Sequence, residues 1–140
     1  MVNRAASAAG LRLAERATLG HPVVDGNNVI GAVADGWWRD RPTAVRRLLV
    51  RMHCLGEPAI LVLDVPQADL PEGVHGRVTV CYATRRGRDA ADDRIRELVA
   101  DVPDATVVTS DRALRRDIAA AGIAVIGART FLARLDAAGC

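Results

Sequence analysis

Aspartates close the apolar runs of this chain. His21-Pro-Val-Val is followed by Asp25, Ala59-Ile-Leu-Val-Leu63 by Asp64, and Ala105-Thr-Val-Val-Thr109 by Ser110-Asp111. Asp89, Asp92 and Asp93 open the segment that follows Val78-Thr-Val-Cys81-Tyr82. If these runs are parallel strands, acids from four separate segments gather at the carboxyl edge of one sheet, where ligands bind in open α/β folds. Two carboxylates about 4 Å apart repel by about 4 kcal/mol at an effective dielectric near 20. A divalent cation removes that cost, and an all-oxygen donor set at a hydrated site selects Mg²⁺ or Mn²⁺. Such an ion acidifies a bound water and grips a phosphate oxygen, which is the chemistry of phosphodiester hydrolysis. A plainer reading stands beside it: Asp is a favoured helix N-cap, and acids in a first helical turn complement the helix dipole.

The elements that would position these acids follow from hydrophobic spacing. Continuous β-branched and aliphatic runs predict five strands, each buried on both faces. Between them, Val45, Leu48, Leu49, Met52 and Leu55 recur at helical spacing, as do Ile95, Leu98 and Val99, then Leu114, Ile118 and Ala121, and finally Phe131, Leu132 and Leu135. Val29–Ala34 is expected as a short helix, Asp35–Trp38 and 66–76 as loops, and Gly122 as a helix C-cap. The fold class is therefore α/β: about five mostly parallel strands with helices on both faces. With 140 residues the chain suits one hydrophobic core. Residues 4–18 read as an Ala-rich helix, giving an N-terminal helical extension over 1–20 and a single domain over 21–140.

Composition excludes several classes. All 19 Lys and Arg residues are Arg, so a P-loop, a response-regulator receiver and a haloacid-type phosphatase all lack their lysine. The first strand runs into Asp25-Gly26-Asn27-Asn28, not the glycine pattern of a dinucleotide-binding turn. Apolar runs are too short for a membrane span, and charges at Arg4, Arg12, Glu15 and Arg16 break any signal-peptide core, which points to the cytoplasm. Cys54, Cys81 and Cys140 show no zinc or redox spacing and are expected as thiols without a role. His21, His53 and His75 have no nucleophile partner and are expected to be structural.

Three segments resemble a known family. Val24-Asp25-Gly26-Asn27-Asn28-Val29-Ile30-Gly31 is similar to the D-G-x-N-V-I-G opening of NYN domains, particularly the YacP-like branch. Ala91-Asp92-Asp93-Arg94-Ile95 resembles that branch's A-D-x-x-I, and its double Asp resembles the pair in Regnase-type NYN ribonucleases. Val107-Val108-Thr109-Ser110-Asp111 resembles the V-V-T-S-D that carries the last acid. The resemblance implies a PIN-like (NYN) fold and a metal-dependent endoribonuclease. Asp25, Asp92 and Asp111 would bind Mg²⁺ or Mn²⁺, and Asp93 would be a fourth catalytic acid. Asn28 would steady the first-strand loop, and Ser110 would meet metal water or phosphate. Arg96 stands near where many YacP-like members carry an acid.

The remaining surface suits a polyanion. Arg85, Arg86 and Arg88 precede the acids and could grip phosphates, or simply form ion pairs with them. Trp37, beside Trp38 and two arginines, is a base-stacking candidate; packing under a loop or at a subunit contact is its alternative. The expected partner is RNA, single-stranded or exposed, free or on a ribosome, with no membrane and with monomer and homodimer both open. Two other readings stay in view: a PIN-type toxin nuclease with a narrow RNA target, and a non-catalytic RNA- or ribosome-binding module.

Overall fold

The computed structural model describes residues 21–140; the expected N-terminal helix lies outside them. Six strands form one sheet in the order β3-β4-β2-β1-β5-β6. They are β1 (His21–Asp25), β2 (Ala59–Leu63), β3 (Gly73–His75), β4 (Val78–Tyr82), β5 (Ala105–Val108) and β6 (Ala124–Ile126). All neighbours are parallel except β3, which runs antiparallel to β4 at the edge. The helices are α1 (Gly26–Gly31), α2 (Arg41–Leu55), α3 (Ala90–Val99), α4 (Arg112–Ala120) and α5 (Ala128–Ala137).

The central strands are apolar because both faces are covered. Every residue of β2 and β5 is buried. On one face Val24, Leu61 and Leu63 pack with Val45, Leu48 and Met52 of α2 and with Phe131 and Leu135 of α5. On the other, Val23, Val62 and Val107 pack with Ile95 of α3 and with Leu114 and Ile118 of α4. After β1 the chain thus turns to one face, and after β5 to the other. The crevice between their carboxyl ends is the topological switch point, where this class of fold takes its ligand.

The sixth strand corrects the loop expected over 66–76. Gly73–His75 is too short to show alternation, and tertiary contacts hold it in place. Val74 pairs with Thr79, the His53 ring meets the His75 carbonyl, and the His75 ring meets that of Pro71 at 2.6 Å. The short helix begins at Gly26, not Val29, and Trp37–Arg39 forms one 3₁₀ turn.

The cysteines need a larger correction. Cys54 and Cys140, 86 residues apart, form a disulfide, and Cys81 alone is a free, buried thiol. Gly139 makes the pairing possible. Its φ of +78° lets its own amide reach Asp136 O and the Cys140 amide reach Leu135 O, folding the terminus back over α5. Gly122 ends α4 in the same way, with Gly122 N on Ala119 O and Ile123 N on Ile118 O. Among the described residues, no helix is long and apolar enough to cross a membrane.

Candidate active-site cleft

Asp25 is the last residue of β1 and lies 4% exposed at the switch point. Gly26 follows because nothing larger fits. A β-carbon there would stand 2.6 Å from Leu63 Cδ2 and 2.9 Å from the Val62 carbonyl oxygen, so α1 starts pressed against β2. The Asp25 carboxylate accepts Thr109 Oγ1–H at 2.8 Å and the backbone N–H of Asn28. Those bonds favour the charged form, but burial outweighs them. Together with the negative charges of Asp92 and Asp111, it pushes the Asp25 pKa up to about 6.

The β5 side is tied to the β1 side by hydrogen bonds. Thr109 Oγ1 also accepts the Asp111 amide at 3.1 Å, and Asn28 Oδ1 accepts the Ser110 amide at 2.7 Å. Asp111 Oδ1 caps α4 through Leu114 N at 2.9 Å while the residue lines the cleft, so one residue both caps a helix and faces the cleft. Ser110 Oγ accepts Ala128 N at 2.9 Å, capping α5. Its hydroxyl therefore serves the β5–α5 junction and does not line the cleft.

An open cleft of about 330 Å³ lies between these ends, lined by Asp25, Asn27, Asn28, Asp64, Asp89, Asp92 and Asp111 with Gly87, Ala90 and Ala91. Burial raises the pKa of Asp92, and the negative charges of Asp111, Asp89 and Asp93 raise it further. Asp89 adopts the left-handed conformation (φ +60°) at the start of α3 without capping it, so its carboxylate is not spent on the helix. Asp64 is already paired: the Arg41 guanidinium bridges it to Asn27 Oδ1. The acids thus share a cleft and feel one another's charge. Among the described residues, however, no three His, Cys, Asp or Glu side chains stand together as a set that could hold one metal ion. This corrects the expectation of a ready-made three-carboxylate cluster.

Other expected site residues fall outside the cleft. Asp93 does so because its helix neighbour Asp92 occupies the inward position, about 100° away around the axis. Its carboxylate takes Arg85 and Arg96, which hold its pKa below the usual range. Arg85 is therefore engaged, whereas Arg86 and Arg88 are exposed on the loop before α3. Trp37 packs partly buried against the α2 face of the core, edge-on to Trp38. Trp38 is 62% exposed, with Arg39 over its ring. The sequence reading gave no role to Thr109 or Arg41. Thr109 sits inside the V-V-T-S-D segment, so that motif carried a signal; Arg41 carried none.

The sheet is doubly wound, with acids at its switch point, and the fold is the YacP-like NYN fold. Among solved structures, the chain is similar to Rae1 (YacP) from Bacillus subtilis, with a TM-score of 0.70 and 24% identity over 85% of this chain and 75% of that one. The W164L mutant of the same protein gives a TM-score of 0.68 and 25% identity over 84% and 76%. No family model and no curated protein matches the sequence.

Proposed function

We propose that this chain is a metal-dependent endoribonuclease that cleaves single-stranded or exposed RNA in the cleft between β1 and β5. One observation carries the reading: Asp25, buried at the switch point, shares its cleft with Asp92 and Asp111, and their charges raise its proton affinity. A soluble fold has no structural need to bury an acid beside others. The YacP-like fold and the three sequence segments support the same class.

The donor chemistry fits a hard divalent ion that one or two of the cleft carboxylates Asp25, Asp92 and Asp111 would hold. Mg²⁺ characteristically takes only one or two carboxylates directly and keeps several waters, so three converging side chains are not required. When bound, the ion would supply positive charge beside the scissile phosphate and a more acidic water. The chain's own groups do the rest. Thr109 and the Asn28 amide orient the Asp25 carboxylate, Asn28 locks the β1 loop to Ser110, and Arg86 and Arg88 are free to grip backbone phosphates. The reading places the protein in the cytoplasm, with RNA as its partner; the Cys54–Cys140 bond runs against a reducing compartment.

A second reading, an RNA-binding module without turnover, is favoured by the lack of a three-ligand set among the described residues. Cleavage of a labelled RNA in Mn²⁺ separates the two. Asp92→Asn is expected to lower the rate by at least about 100-fold, the loss of several kcal/mol of transition-state stabilisation. Undiminished cleavage by the purified variant rules out the assignment. Binding that survives chelation, with no turnover by the unaltered protein, selects the module.

A further inference from the structure

The arginines of this chain are sorted by place. Several on the bodies of α2 and α3 face carboxylates: Arg46 and Arg51 of α2 hold Asp69 and Asp136, and Arg96 of α3 holds Asp93 and Asp117. At the carboxyl edge beyond β5 and β6 the pattern stops. Arg112 opens α4, Arg116 stands one turn further on the same side, and Arg129 lies in the first turn of α5; all three are exposed, and none has an ion pair or hydrogen-bond partner among the described residues. The nearby Asp117 is taken by Arg96, and neither helix has an acid in its first turn. Like charges at i and i+4 repel, and cations at a helix start oppose its dipole. The Asp111 cap of α4 offsets part of this cost at Arg112, and a bound polyanion would relieve the rest.

We infer that Arg112, Arg116 and Arg129 form a second phosphate-anchoring surface for an RNA strand, across the acidic cleft from Arg86 and Arg88. The inference rests on the RNA reading above and specifies how the strand lies. In the order β4-β2-β1-β5-β6, the loop after β4 lies three strand spacings from β5, which leads to Arg112, and four from β6, which leads to Arg129, roughly 14 and 19 Å at about 4.8 Å each. Of the cleft acids, Asp25, Asp64 and Asp111 follow β1, β2 and β5, and Asp89 and Asp92 follow β4 beside Arg86 and Arg88. A mononucleotide cannot reach both sides. A strand lying across the edge can, with arginine on phosphates at either side and the reacting bond over the acids. The ligand is therefore an internal stretch of a polynucleotide, not a chain end. Guanidinium forks hold such phosphates without reading sequence.

The test is fluorescence anisotropy with a labelled single-stranded RNA of about 12 nucleotides, in EDTA so that no turnover intervenes. The triple variant Arg112→Gln/Arg116→Gln/Arg129→Gln should bind at least about tenfold more weakly at low salt. Its plot of log K against log salt should be shallower by about 2, from three lost contacts at about 0.7 each. A triple Arg→Lys variant should keep the slope. Arg77→Gln, at the amino end of β4, should change nothing. Wild-type affinity and slope in the Gln variant would overturn this surface and leave the RNA reading standing. No RNA binding by the unaltered protein would overturn both, and an equal loss in Arg77→Gln would reduce the effect to net charge.

Discussion

The Thr109 hydroxyl donates to the buried Asp25 carboxylate at 2.8 Å, joining the carboxyl ends of β1 and β5 across 84 residues of sequence. The same oxygen accepts the Asp111 amide, so one hydroxyl fixes the positions of two cleft acids. Thr109→Val removes the donor and leaves both groups short of a partner. Losing a bond to a buried charged group costs about 1–3 kcal/mol. Because that bond holds the Asp25 pKa down, it should rise beyond about 6, and the acid limb of RNA cleavage should move to higher pH. Thr109→Ser should restore the limb. An unshifted limb in Thr109→Val would show that Asp25 ionisation does not govern turnover.

Asp25 also makes a prediction about stability. Its folded pKa of about 6 lies above the ordinary 3.8, so between those values the folded protein binds more protons than the unfolded chain. Stability should therefore fall as pH rises from about 4 to 6 and level off above. At pH 7 in chelator, Asp25→Asn should be more stable by up to about 3 kcal/mol, with a melting temperature that lacks the decline. Millimolar Mg²⁺ should raise the wild-type melting point and leave the variant's nearly unchanged. Parallel melting curves for the two proteins would remove the buried-charge account.

Much of this was legible in the sequence where one residue's type decided its place. The runs before Asp25 and Asp111 are strands that end at the switch point, and Gly122 does end a helix. What escaped depends on distances that a sequence does not contain. The Asp25–Thr109 bond, the Arg41 bridge and the Cys54–Cys140 pair each join residues from separate elements. β3 escaped because three residues at a sheet edge carry no periodicity. Asp92 and Asp93 looked alike until the helix turned one inward and the other toward Arg85 and Arg96.

Arg41 tests whether positive charge inside the acidic cleft matters. Its guanidinium sits between Asn27 and Asp64, partly exposed, so the pair should contribute less than about 1 kcal/mol to stability. Arg41→Met should thus barely move the melting temperature. It leaves Asp64 uncompensated in the cleft, and RNA affinity in EDTA should fall about fivefold, or about 1 kcal/mol. A large loss of stability with unchanged affinity would make Arg41 a structural residue only.

Gly26 offers the sharpest separation of space from charge. A β-carbon at this position meets two leucine methyls and, at 2.9 Å, the Val62 carbonyl oxygen, which belongs to the central strand and cannot turn aside. Gly26→Ala should therefore cost about 1–3 kcal/mol through overpacking. Relief can come only from α1 moving off β2, which carries Asn27, Asn28 and the adjoining Asp25 with it. Both the melting temperature and RNA cleavage should fall. By contrast, Cys54→Ser, at the far end of α2, should lower the melting temperature alone: opening a loop of 86 residues costs about 2–4 kcal/mol but leaves the switch point intact. If Gly26→Ala lost stability yet cleaved RNA at the wild-type rate, the reacting groups would have to lie away from the β1 end.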